Sequence, residues 1–180
     1  LLGHIGHSSP VYIGAAIDRG YQYLPPELPA GEASGAAKYR DHVRAKKARA
    51  ARPGHVFVGS NDGILHAFDA TTGVESYGYV PRAVAIEMAR QSRPKTPNRL
   101  MMDGPLVESD AWWDGKWQNV LLGTTGAGPR AVFALNVTDT RPGTGLNADT
   151  LLWEVDESTQ PELGHVLAAP EIGVMRDGTW

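Results

Sequence analysis

A unit of four strand-like segments occurs twice along this sequence, and that repeat limits the fold more than any other feature. Two apolar runs that end on glycine correspond to each other, His55–Gly59 in the first unit and Asn119–Gly123 in the second. The runs that follow them also correspond, Ile64–Asp69 and Ala131–Asn136. Four-stranded units repeated at intervals of this size are typical of a β-propeller. We therefore predict a mainly β fold of four-stranded antiparallel blades, with a β-sandwich of short strands as the alternative.

Segments that begin with proline mark the first strand of each unit. Pro10–Gly14, Pro105–Ser109 and Pro170–Val174 occupy corresponding positions. Proline is tolerated where a strand begins, because that position needs no donor for the ladder. The sequence therefore predicts a partial propeller, in which residues 1–180 are part of a single β-propeller domain with about two blades and the start of a third. The predicted ranges are about 8–80 for blade one, about 103–155 for blade two and about 165–180 for the start of blade three.

Two of the connections between strands have the composition of short helices. Ala36–Ala51 is rich in Ala, Lys and Arg and contains no Gly or Pro, which favours a helix. This helix lies in an insertion at about 15–53, between the first two strands of blade one. Arg82–Gln91 follows Pro81, a residue well suited to the first turn of a helix. Both helices are predicted to lie outside the sheets.

The first helix concentrates positive charge in a chain whose formal net charge is −3. A cationic helix can bind anionic lipid, polysaccharide or nucleic acid. The other interpretation, which we adopt, is a solvated helix that balances an acidic neighbour. The residues of the possible anionic-partner surface are Lys38, Arg40, Arg44, Lys46, Lys47 and Arg49.

Several kinds of reactive site are missing from the sequence. There is no cysteine, which excludes disulfides, a cysteine nucleophile and cysteine-ligated metals. The six histidines show no metal-site spacing, and no G-x-S-x-G elbow exposes a serine. No apolar run approaches the ~18 residues of a membrane span. We expect no catalytic residue, cofactor, metal or transmembrane segment here, and a structural role for His66, opposite Phe57 in a hairpin.

A further set of motifs follows a fixed order along nearly the whole chain. It comprises Leu2–Gly14, Val56–Ala70, Asp103–Pro105, Trp117–Gly123, Val132–Asp139, Leu152–Glu154 and Asp177–Trp180. This set resembles the C-terminal β-propeller of the PilC/PilY family of type IV pilus biogenesis factors and tip-associated adhesins. The Asn-Asp-Gly turn alone would also fit quinoprotein repeats, whereas the ordered set is much more specific.

The resemblance implies a non-enzymatic propeller segment that supports pilus biogenesis and surface adhesion. Pilin or minor pilins and a host or surface ligand would be the partners, bound through the full-length protein, and no nucleic acid is expected. The location would be the cell surface, the pilus tip or the outer membrane. The family's calcium loop has no counterpart here and would lie beyond Trp180. A propeller typically needs about 4–8 blades, so we expect this piece either to belong to a longer chain or to self-associate.

Two alternative functions are compatible with a propeller. One is a fragment of a quinoprotein dehydrogenase of the PQQ type, whose blades share the Gly-x-x-Asp-Gly and Asp-Ala-x-Thr-Gly turns found here. Such enzymes often use a vicinal cysteine pair and a calcium held by clustered acidic side chains, and the sequence shows neither. The other alternative is a structural scaffold with no ligand of its own.

Overall fold

Two four-stranded antiparallel sheets carry the strands of the computed structural model, which describes residues 2–28, 33–49, 54–140, 147 and 149–180. Blade one contains β1 (Val11–Ile13), β2 (His55–Gly59), β3 (Leu65–Asp69) and β4 (Glu75–Tyr79). Blade two contains β5 (Leu106–Trp113), β6 (Lys116–Thr124), β7 (Ala131–Asn136) and β8 (Leu151–Asp156). In each sheet the strands lie side by side in chain order. This meander matches the predicted blades and differs from the Greek-key order of most β-sandwiches.

A two-residue turn closes the hairpin between β5 and β6. Asp114 and Gly115 have φ values of 53° and 70°, and a tight turn of this kind requires positive φ at both positions. Trp112 and Trp117 pair directly across the two strands. The hairpin therefore carries its aromatic side chains to the very end of blade two.

A longer turn joins β2 to β3 and sets their register. The Ser60 amide donates to the Ile64 carbonyl at 3.0 Å, so the three residues between them form the loop. His66 then pairs with Val58 across the strands. The expected pairing of His66 with Phe57 was wrong by one residue, because the loop is one residue longer than the tightest hairpin turn.

The hydrophobic core lies between the two blades. Phe57 and Leu65 of blade one and Leu121 and Phe133 of blade two are fully buried in one cluster. The rings of Tyr79 and Phe133 lie 5.1 Å apart between their centroids, across the boundary of the blades. Burying each large apolar side chain contributes roughly 1.5–3 kcal/mol. The shared core holds the two sheets against each other.

Two helices lie in the connections outside the sheets, as predicted. Helix α1 spans Ala33–Arg49, so it begins before the predicted start, and α2 spans Arg82–Gln91, as predicted. Residues 50–53, which include the predicted end of the first helix, lie outside the described residues. Neither helix, over the residues described, is long and apolar enough to cross a membrane.

Connections alternate between the two ends of each blade, because consecutive strands are antiparallel. We call the end with the β1–β2, β5–β6 and β7–β8 connections the upper end. The lower end carries the β2–β3 and β6–β7 connections and the β4–β5 connection between the blades. Helix α1 belongs to the β1–β2 connection at the upper end, and α2 belongs to the β4–β5 connection at the lower end.

The residues after β8 run along blade two without forming a strand over 157–180. Ile172 and Trp180 pack on the face of blade two that does not contact blade one, beside Trp113 and Leu152. The start of blade three, predicted at about 165–180, therefore has no strand in this structure. A strand requires a hydrogen-bonded neighbour, and none of the described strands pairs with this segment.

Candidate functional site

Helix α1 is fastened to blade two, although the insertion that carries it belongs to blade one. The indole of Trp117 donates from Nε1 to the Gly35 carbonyl at 3.0 Å. Lys38 Nζ donates to the Gly115 carbonyl at 3.0 Å, at the tip of the β5–β6 hairpin. The Tyr39 ring is buried, and its centroid lies 4.5 Å from the centroid of the Trp117 ring. The upper end of blade two is therefore covered by a helix from its neighbour.

A buried group of polar side chains joins the inner face of α1 to β5 and β6. We call it the α1 charge cluster, and its members are Arg19, His42, Lys46, Glu108, Asp110 and Asn119. The carboxylate of Asp110 lies at its centre. Its Oδ1 is 2.9 Å from Lys46 Nζ and 3.0 Å from His42 Nε2. The Asn119 side-chain amide donates to the same oxygen at 3.1 Å.

The second carboxylate of the cluster, Glu108, shares the cation Lys46 with Asp110. Lys46 Nζ lies 3.2 Å from Glu108 Oε1, and Arg19 donates to Glu108 Oε2 at 2.5 Å. The Asn119 side-chain amide also donates to Glu108. Two carboxylates are thus balanced by one lysine and one arginine, which is the pairing that buried charges require.

The electrostatics of the cluster keep Asp110 ionised. Burial acts to raise the pKa of Asp110, but hydrogen bonds from His42, Lys46 and Asn119 and the positive charge of Lys46 outweigh it and lower the pKa to about 2. Burial also raises the pKa of Tyr39, whose hydroxyl donates to Asp110 Oδ2 at 3.1 Å. A permanent negative charge therefore anchors Lys46 and His42 from inside blade two.

The periodicity of two elements brings these side chains together. Glu108 and Asp110 are two residues apart on β5, so both lie on one face of the sheet. His42 and Lys46 are four residues apart on α1, so they lie on one face of the helix. The acidic partners of α1 were not among the site residues predicted from the sequence. Their signal was the presence of two carboxylates at alternate positions of a strand that begins and ends with apolar residues.

Lys46 corrects the proposed anionic-partner surface. Its side chain is 8% exposed and is held by two carboxylates, so it cannot meet an external anion. Lys46 is buried there because two carboxylates without a cation inside blade two would be very unfavourable. The interpretation of a helix beside an acidic neighbour fits this residue, and the neighbour is the Glu108–Asp110 pair.

The other five cations of the proposed surface are divided between two roles. Lys38 is bound to the hairpin of blade two, and Arg49 lies 3.0 Å from Asp139 Oδ1 in the β7–β8 connection. Arg40, Arg44 and Lys47 lie on the exposed face of α1 at a spacing of about one turn. The anionic-partner surface stays a prediction, reduced to this outer stripe.

At the lower end of blade one, His66 connects a turn to a strand. Its Nε2 is 3.0 Å from Asp62 Oδ2, and its Nδ1 is 2.6 Å from Glu75 Oε1 on β4. Burial acts to raise the pKa of Asp62, but amide hydrogen bonds from Gly3 and Ile64 together with His66 lower it overall. These contacts support the structural role expected for His66. In the part of the chain that the structure describes, no group of three or more His, Asp or Glu side chains is arranged to hold a metal ion.

Comparison with known proteins gives matches over almost the entire chain. A family model of the PilY1 beta-propeller domain matches residues 2–180. The type IV pilus biogenesis factor PilY1 of Pseudomonas aeruginosa strain UCBPP-PA14 is 38% identical over 183 residues, covering 100% of this chain and 14% of that protein. A PilY1 homolog of Xylella fastidiosa strain Temecula1 is 40% identical over 126 residues, covering 70% of this chain and 8% of that protein. The chain therefore spans about one seventh or less of these relatives.

A solved structure is also similar to this chain. The crystal structure of the Pseudomonas aeruginosa PilY1 C-terminal domain superposes with a TM-score of 0.64 at 36% sequence identity. The match covers 90% of this chain and 29% of that one. The shared architecture therefore includes nearly all of the two blades described above.

Proposed function

This chain belongs to the PilY1 β-propeller family, and from that premise we propose that it serves type IV pilus biogenesis as a non-enzymatic part of a larger pilus protein. The membership confirms the resemblance seen in the sequence and the partial-propeller fold, and it decides against the β-sandwich. The single observation that carries the proposal is the family match over residues 2–180. A role in pilus assembly is what the names of the relatives describe.

The contacts between the two blades are those expected of a rigid platform. The two blades share one core, and the α1 charge cluster ties the insertion of blade one to blade two. Rigid strands position the connections at the two ends of the blades, where binding residues are commonly found. We propose that these ends bind pilin or minor pilins and a host or surface ligand. The full-length protein would act at the pilus tip, the outer membrane or the cell surface.

Piliation of a strain that lacks the full-length gene tests this role. We expect surface pili to be lost, restored by the natural gene, and reduced by a gene carrying Asp110→Ala, which breaks the α1 charge cluster. Asp41→Ala is the matched control, because Asp41 lies on the exposed face of the same helix. Normal numbers of pili in the strain without the gene would contradict the proposal. Attachment to surfaces, measured per pilus, tests the adhesive part separately.

The absence of catalysis is likewise a proposal. It is supported by the internal roles of the buried titratable side chains, because Asp110, Glu108 and His66 are all engaged by neighbouring side chains. The test is incubation of the protein with pyrroloquinoline quinone, calcium and alcohols in the presence of a redox dye. We expect no saturable reduction of the dye. Saturable reduction would favour the quinoprotein dehydrogenase alternative.

A further inference from the structure

A cleft of about 490 Å³ opens at the lower end of the blades. One wall is formed by α2 and the residues that follow it, and the other by the β6–β7 loop and the residues that follow β8. Pockets that bind ligands commonly have volumes of about 300–1,000 Å³. In a propeller, hairpin loops and connections between blades lie on a face of the molecule rather than between blades. The position of the cleft is therefore suited to an external ligand.

On the wall formed by α2 and the residues that follow it, the charges are arranged in two layers. The Glu87 carboxylate is buried, with 9% of its side chain exposed, whereas the side chains of Arg90 and Arg99 are 62% and 68% exposed. Glu87 lies 3.4 Å from Arg90 Nη1 and 3.9 Å from Arg99 Nε. At these distances the carboxylate orients the two guanidinium groups without occupying all of their donors. On this wall of the cleft, the layer that faces solvent is therefore cationic.

On the opposite wall the carboxylates are paired with arginines. Asp156 is buried and accepts a hydrogen bond from Arg82 Nη2 at 2.7 Å, so the charge of Asp156 is balanced by that of Arg82. Arg130 pairs with Glu157, and both are partly exposed. Arg90 and Arg99, by contrast, share the single carboxylate of Glu87, so their guanidinium groups keep donors for an incoming anion.

Apolar side chains accompany these cations. Ile86 on α2 and Leu100 in the following segment both line the cleft and are exposed. A guanidinium group recognises a carboxylate through two parallel hydrogen bonds, and an apolar neighbour favours a ligand that also carries a hydrophobic side chain. A concave site with both features fits a peptide better than it fits a bilayer or a nucleic-acid backbone, which are bound mainly by exposed basic patches.

We propose that this cleft binds an acidic peptide segment of a partner protein. Arg90 and Arg99 receive a carboxylate of the peptide, and Ile86 and Leu100 contact the apolar side chain next to it. Glu87 is a positioning residue that holds the two arginines. The proposal does not depend on the role in pilus assembly, because it rests on the charges and the shape of the cleft alone.

Binding of labelled peptides to the purified full-length protein tests the proposal. The probes are a short peptide of alternating Glu and Leu and the matched peptide in which Gln replaces Glu. We expect the acidic peptide to bind at least about tenfold more tightly, because hydrogen bonds between charged groups are the stronger ones. Equal binding of the two peptides would overturn the proposal without any variant being made.

Variants then locate the site. The double change Arg90→Gln and Arg99→Gln is expected to weaken binding of the acidic peptide by about tenfold or more. Arg93→Gln is the matched control, since Arg93 is an exposed cation just after α2 that does not line the cleft. Charge reversal with Arg90→Glu and Arg99→Glu should shift the preference to a peptide of alternating Lys and Leu. Thermal unfolding of each variant checks that the fold is kept.

Three further results would overturn the proposal. The double variant and the control could bind the acidic peptide equally, or the charge reversal could leave the preference unchanged. Anionic vesicles or heparin could also bind through Arg90 and Arg99 while the peptide does not, which would make the cleft a polyanion surface. Failure of any of these tests leaves the piliation experiment unaffected, so the two proposals are tested separately.

Discussion

Blade one and blade two follow the same four-strand plan and differ most in the connection between their first two strands. In blade two this connection is the two-residue turn Asp114–Gly115. In blade one it is a long insertion that contains α1. The first strands of the two blades also differ in length, because β1 has three residues and β5 has eight. Strand β1 ends at the buried Ile13, whereas β5 continues through polar residues that form hydrogen bonds with side chains of α1.

This difference shows how one repeat can support the next. Strand β5 carries Glu108 at the position that corresponds to Ile13, and its extension adds Asp110, so both carboxylates would lack partners within blade two. The insertion of blade one supplies those partners through Arg19, His42 and Lys46. An insertion in one blade and a strand extension in its neighbour are therefore complementary. The strands that form the core are similar in both blades, whereas the connection between the first two strands differs.

The largest expected effect comes from removing the centre of the α1 charge cluster. Asp110→Ala leaves Lys46 and His42 buried against β5 without their main partner. Breaking a buried charge pair in this way costs roughly 3–5 kcal/mol of unfolding free energy. Urea unfolding followed by tryptophan fluorescence measures it, with Asp41→Ala as the control. A loss of less than about 1 kcal/mol would mean that the contacts between α1 and blade two contribute little to the free energy of unfolding.

A second change tests the shared core at corresponding positions of the two blades. Gly123 lies so close to the Phe133 ring that a methyl group at this position would overlap it. We expect Gly123→Ala to cost about 2–3 kcal/mol, because the buried ring cannot move away. Gly59→Ala in blade one should also destabilise, since its methyl group would meet the Met102 carbonyl. Gly164→Ala, which has open space around it, is the control and should be nearly neutral.

The pH dependence of stability separates the α1 charge cluster from the other carboxylates. The pKa of Asp110 is lowered from 3.8 to about 2, so the folded state binds its proton less readily than the unfolded chain. The stabilisation is therefore complete above about pH 4 and is lost as the pH falls towards about 2, and it amounts to roughly 2 kcal/mol. Asp110→Asn should remove this part of the acid sensitivity. Identical acid unfolding curves for the two proteins would contradict the assignment.

The smallest effect is expected on the exposed face of α1. Arg40, Arg44 and Lys47 contribute little to stability, because the pair between Arg44 and Asp41 is exposed and such pairs are worth about 0–1 kcal/mol. We expect weak binding to heparin or DNA that is largely lost at physiological salt, as for a few exposed cations. Salt-resistant, submicromolar binding that disappears when the three residues are changed to Glu would establish the outer stripe as an anion site.

Much of the architecture could be predicted from local sequence patterns. The Asp114–Gly115 turn, the limits of α2 and the strands of both repeats follow from turn residues, a helix start at Pro81 and runs of apolar residues. The register of His66 could not be predicted to the residue, because it depends on the geometry of one loop. The segment at about 165–180 has the sequence of a strand, but forming one requires a neighbour that the described strands do not supply.

Local patterns in the sequence predict that this chain forms four-stranded units and that one connection contains a positively charged helix. These properties are local, since they depend on the spacing of apolar residues, glycine turns and helix-forming side chains within short windows. Contacts between distant parts of the chain place α1 on blade two rather than in solvent, and Lys46 between Glu108 and Asp110. Such contacts also form the cleft that Arg90 and Arg99 line. Local patterns do not reveal these placements, because the role of a charge depends on its surroundings. The partners that decide between a buried ion pair and an exposed binding residue are far away in the chain.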